Sequence, residues 1–208
     1  ANFQLEALAT SDDHHVVLML GDIQTQDRRE MRRFLEESVP DIIETRKALG
    51  DVDVVGIAVG DMMFDNLKLF PDYEQGVKQI GVPFFQVVGN HDLDSDAAVD
   101  EASSQTFEQH FGPRYYSFDR GAVHYVVLDD VFWYGTSYLG YLALDQLAWL
   151  QSDLAYVEAG RTVVVCTHIP AQGSLYLRRG EKSAPPTTSL MNREMLFRLL
   201  EPYRAQIV

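Results

Sequence analysis

The chain has 208 residues, 46% of them hydrophobic and 23% charged. That balance is globular and excludes a disordered or collagen-like chain, and the length suits a single domain, residues 1–208, with a core of its own. Lys and Arg number 17 against 31 Asp and Glu, a net charge of −14. Such a field repels phosphate backbones and argues against nucleic-acid and anionic-membrane partners. The single cysteine, Cys166, excludes an internal disulfide framework and a cysteine-based zinc finger. No apolar run approaches the roughly 18 residues of a membrane helix.

Strands alternate with helices along the chain. Residues 16–20 are a short continuous apolar run, the mark of a strand buried on both faces. Residues 27–49 carry Met31, Phe34, Leu35, Ile42 and Ile43 among many charges, which predicts an amphipathic helix split or kinked at Pro40. A second strand is predicted at 52–59, a short helix at 73–80 closed by Gly81, and a third strand at 83–88. Residues 97–111 read as a helix ended by Gly112 and Pro113. Residues 115–128 read as a hairpin around Asp119-Arg120-Gly121. A helix at 144–157, a strand at 162–166, a long polar loop at 171–189 and a helix at 193–200 follow. The chain opens on Ala1 with no apolar leader, which reads as a processed or excised chain. Its last residues, 205–208, read as a strand just begun, so a C-terminal truncation is expected. One α/β domain is the resulting expectation.

The polar residues that follow the strands carry the chemistry. Gly21-Asp22-Ile23-Gln24 follows the first strand, and Gly60-Asp61 follows the second, with Asp65 four residues on. Gly89-Asn90-His91-Asp92 follows the third, and Thr167-His168-Ile169-Pro170 follows the strand at 162–166. Ligands of open α/β sheets bind at the carboxyl ends of strands. Four strands therefore aim carboxylates, amides and imidazoles at one rim. Taken singly, Gly-Asp is an ordinary turn and Gly-Asn-His-Asp an ordinary polar loop; their shared position is what argues for a site. Carboxylate, amide and imidazole donors suit Mn, Fe or Zn.

In this order and spacing the blocks resemble the calcineurin-like metallophosphoesterase superfamily, whose pattern is Asp-x-His, Gly-Asp, Gly-Asn-His-(Asp/Glu), a single His, and Gly-His-x-His. The resemblance covers about the whole chain. It implies a sandwich of two mixed β-sheets flanked by α-helices, and hydrolysis of a phosphoester, mono- or diester, at a site of two metal ions. By resemblance, Asp61 bridges the metals, Asp22 and Gln24 serve the first, and Asn90 and His168 serve the second. His91 faces the phosphate and protonates the leaving oxygen. Asp65 and Asp92 orient the others. A water between two dications is acidified and can attack phosphorus in line.

Two departures stand out. Gln24 occupies the place where His is usual, as in some bacterial branches with Asp-x-Gln, and an amide oxygen is a weaker ligand. No Gly-His-x-His block is present, so the chain is expected to bind metal weakly, and a non-catalytic binding module is the alternative reading. Arg178, Arg179 and Lys182 form either a phosphate clamp or a solvated loop. Tyr134, Tyr138 and Tyr141 either wall a cleft or simply pack. His14, His15, His110 and His124 read as surface or structural residues. The expected partner is a small phosphorylated substrate. Family analogy points to an exported protein over a cytoplasmic one.

Overall fold

The computed structural model describes residues 11–173, 178–180 and 184–208. Three parallel strands form the first sheet, in the order β1 (His15–Leu20), β2 (Asp53–Val59) and β3 (Phe84–Val87). The second sheet is mixed. In it β4 (Tyr116–Arg120) pairs antiparallel with β5 (Val123–Val127). The order continues in parallel to β8 (Thr162–Cys166) and β9 (Arg204–Ile207). Between β5 and β8 lies a small hairpin, β6 (Val131–Trp133) and β7 (Tyr138–Gly140).

Helices cover the outer face of each sheet. On the first sheet lie α1 (Arg28–Arg33), α2 (Val39–Ala48) and α3 (Phe70–Ile80), with α4 (Asp100–Ser103) and α5 (Gln105–Phe111) nearby. Their buried side chains, among them Met31, Val39, Tyr73, Val77 and Phe107, pack with Ala58 and Val88. On the second sheet lie α6 (Leu144–Leu154) and α7 (Arg193–Leu200), whose Leu147, Leu150, Leu196 and Leu200 meet Val126, Val163 and Val165. The inner faces of the two sheets meet through Ile57, Val87, Tyr125, Val127 and Cys166. The layers run helix, sheet, sheet, helix.

The long helix is divided next to Pro40, although no coil interrupts it. One π-helical turn, Phe34–Ser38, precedes the proline, and the Val39 N–H closes that turn on the Phe34 carbonyl. Pro40 then sits at the start of α2, directly after that π-helical turn. The helix expected over 97–111 divides at Ser104 into α4 and α5. His15 is half-buried instead of surface-exposed; its Nε2 meets the Tyr125 hydroxyl at 2.7 Å. His124 is buried between Asp119 at 2.7 Å and Asp153 at 2.8 Å.

Candidate metal centre

Because β1, β2 and β3 run parallel, their carboxyl ends share one side of the sheet. The ladder continues past them. Gln24 N–H donates to the Asp61 carbonyl at 2.8 Å and Phe64 N–H to the Thr25 carbonyl at 3.0 Å. Asp65 N–H donates to the His91 carbonyl at 3.1 Å. The three post-strand loops are thereby tied to one another before any side chain is considered.

The backbone there is strained. Among the described residues, the non-glycine positions with positive φ are Asp22 (43°), Gln24 (47°), Asp61 (50°) and Asp65 (61°). Side chains avoid this region, at a cost of about 1–3 kcal/mol each, unless the surroundings enforce it. All four positions belong to the motif blocks. Two glycines are enforced by the same crowding. A Cβ on Gly60, whose φ is +90°, would strike the His168 ring, and one on Gly89 would strike the Asp61 backbone and carboxylate.

Asp22, Asp61 and His168 each offer a ligand atom, and these atoms lie within 4.8 Å of one another. Asp22 is exposed at the rim and Asp61 is buried. Asp61 Oδ1 accepts the His91 N–H at 2.9 Å, and its Oδ2 accepts from Gln24 Nε2 at 2.8 Å. His168 is held by both ring nitrogens. Nδ1 lies 3.0 Å from the Val59 carbonyl, which can only accept, so Nδ1 carries the proton. The lone pair of Nε2 then faces Asn90 Oδ1 at 3.1 Å and Asp61 Oδ1 at 3.4 Å. Three electron pairs converge with no hydrogen between them as these groups are oriented. A cation satisfies that arrangement, and the Nδ1–H bond to a carbonyl is the usual outer support of a ligating imidazole. The donor set therefore fits a divalent ion.

Two carboxylates brace the loops from beneath. Asp92 is fully buried and accepts N–H groups of Gly89 (3.0 Å), Met62 (3.3 Å) and Met63 (3.0 Å). Burial pushes its carboxyl up to about 7 against the pull of those donors, and the Asp61 charge adds to the rise. Asp130, which the sequence reading passed over, is equally buried and meets the N–H groups of His168 and Ile169. His91 Nδ1 lies 2.8 Å from Asp65 Oδ1, and its ring stacks on Phe64 at 4.1 Å between centroids.

Of the tyrosines, Tyr138 comes near the site. Burial and the Asp61 charge push its hydroxyl pKa up. Tyr141 packs edge-on against Phe132, and Tyr134 is exposed. Arg178 and Arg179 are exposed, and Lys182 lies outside the described residues.

Residues 13–208 match the family model of the calcineurin-like phosphoesterases. Among solved structures the fold is similar to purple acid phosphatase PPD1 from yellow lupin (Lupinus luteus) seeds. That likeness has 17% identity and a TM-score of 0.58, over 88% of this chain and 35% of that one. It is also similar to a dimetal phosphatase from Danio rerio, at 13% identity and a TM-score of 0.53, over 91% of this chain and 78% of that one. At such identities the likeness is one of fold. The chain spans about a third of the length of the lupin enzyme. No curated protein matches it in sequence.

Proposed function

Because the chain belongs to the calcineurin-like phosphoesterase family, we propose that it hydrolyses a phosphoester on a small substrate at a site built for two metal ions. One observation carries the reading: ligand atoms of Asp22, Asp61 and His168 gather within 4.8 Å at strained strand ends. Asp22, Gln24, Asp61, Asn90 and His168 are the residues we assign to the metals, with Mn, Fe or Zn suited to their donors. When bound, the metal pair supplies Lewis-acid charge neutralisation and an acidified water at neutral pH.

The chain's own residues do the rest. Asp61 is fixed from both sides, by the His91 N–H and by Gln24. His91 is the proposed acid. Asp65 takes its Nδ1–H and Phe64 supports its face, which leaves Nε2 to hold a proton for the departing oxygen.

A metal-holding module without turnover is the second reading. It is favoured by Gln24, whose amide is already engaged with Asp61. One assay separates the two: Mn2+, Fe2+ or Zn2+ added with a chromogenic phosphomonoester and, separately, a phosphodiester. Metal-dependent release of the chromophore, abolished in Asp61→Asn, supports the enzyme. Metal binding with no release under any of the three ions overturns it in favour of the module.

A further inference from the structure

We infer that Asp130 is a positioning residue that sets the His168 imidazole in the metal site; the inference rests on the metal-site reading above. β8 ends at Cys166, and the Thr167 N–H is the last to be paired in ladder fashion, with the Val208 carbonyl at 2.9 Å. The next two N–H groups, of His168 and Ile169, meet a side chain instead. Both donate to one oxygen, Asp130 Oδ1, at 3.1 Å each. Two successive N–H groups sharing one acceptor fix the peptide plane between them. The Cα–Cβ bond of His168 is thereby aimed, and its Nδ1 reaches the Val59 carbonyl on the other sheet.

Asp130 is itself held. It immediately precedes β6, and its carbonyl accepts the Tyr141 N–H at 3.0 Å, just past the hairpin β6–β7. Its other oxygen, Oδ2, is buried and has no hydrogen-bond partner among the described residues. An unpaired polar atom at such depth is rare in folded proteins and costly. What the carboxylate gains is the turn that carries His168. Supports of this kind typically change metal affinity by about 10–100-fold.

The test is a Mn2+ titration of the whole chain, followed by paramagnetic broadening of the His168 ring protons, with melting temperature as the check on folding. Asp130→Asn keeps an oxygen for the two N–H groups, and its half-broadening concentration is expected within about threefold of the parent. Asp130→Ala removes the acceptor and should raise that concentration about tenfold or more. Asp130→Ser is polar but too short to reach both N–H groups; it is expected to behave like Ala and serves where the Ala chain does not fold. A folded Ala or Ser variant that broadens at the parent concentration overturns the inference, as does an Asn variant impaired as much as Ala. A parent chain whose His168 ignores Mn2+ altogether overturns the metal reading, and the inference with it.

Discussion

His91 shows how much one side chain depends on its neighbours here. Its backbone N–H braces Asp61, while its ring, which we propose as the acid, is set by Asp65 and Phe64. Replacing the ring leaves the backbone bond intact. His91→Ala is therefore expected to keep its metal and lose about a hundredfold or more in turnover, most with poor leaving groups. Metal analysis beside the chromogenic assay checks this. Equal loss of metal and rate would make His91 a ligand instead. At this scale the sequence was legible wherever chemistry and turn geometry coincide. Asp22, Asp61 and His168 follow apolar runs, and glycines precede the first two. Asp130 was not legible, because its work is done by accepting backbone N–H groups from the turn after β8, 38 residues away, and nothing in a sequence marks such a pairing.

Elements built from continuous apolar runs were also legible. The strand expected at 162–166 and the helix at 193–200 stand as read. The hairpin of β6 and β7 was not. Each of its strands has three residues, too few to show a period, and tyrosines at both ends pointed elsewhere. Nor could periodicity reveal which strands share a sheet. One polar clasp explains how three of these elements hold together. His124 of β5 lies between Asp119 of β4 and Asp153 of α6, and Ser117 also donates to Asp153 at 2.7 Å. His124→Ala leaves Asp153 partly buried without its ring partner and is expected to cost about 2–3 kcal/mol in urea unfolding. Asp119→Ala removes only the exposed partner and should cost about 1 kcal/mol or less. Equal costs would show that the clasp is not what joins α6 to the hairpin.

The whole molecule carries its buried charge in an asymmetric way. Arg114 is shared between Asp100 at 3.1 Å and Asp129 at 3.2 Å, so one cation serves two carboxylates. Burial therefore still pushes Asp129 up to about 7, although Arg114 pulls it down. Burial likewise raises Asp92 to about 7 and Asp130 to about 8. The folded chain holds these protons more tightly than the unfolded chain, whose carboxyls titrate near 4. Their contribution to stability is complete below about pH 4 and is lost as pH rises through 7 and 8. The metal-free melting temperature should fall between pH 5 and 8. In Asp129→Asn, which keeps an oxygen for the Val131 N–H, that fall should be shallower. An unchanged slope would place the pH dependence elsewhere.

Cys166 reports on the layer where the two sheets meet. It is fully buried there against Ile57, Val87, Tyr125 and Val127, and burial pushes its thiol up to about 12. The thiolate is the reactive form, so the folded protein presents neither access nor nucleophile at pH 8. In the unfolded chain the thiol titrates near 8.5 and reacts freely. Burial of the neutral thiol favours the fold below that value, and this contribution is lost as pH climbs toward 12. The surrounding side chains come from both sheets, including β2, β3 and β5. Exposing the sulfur thus requires the sheets to part, not a loop to lift. A disulfide reagent at pH 8 is expected to leave the native chain unmodified over hours and to titrate one thiol per chain in denaturant. The native rate should rise with urea in step with global unfolding measured by circular dichroism. Modification at the rate of a free thiol without denaturant would mean that the two sheets do not close on each other around Cys166.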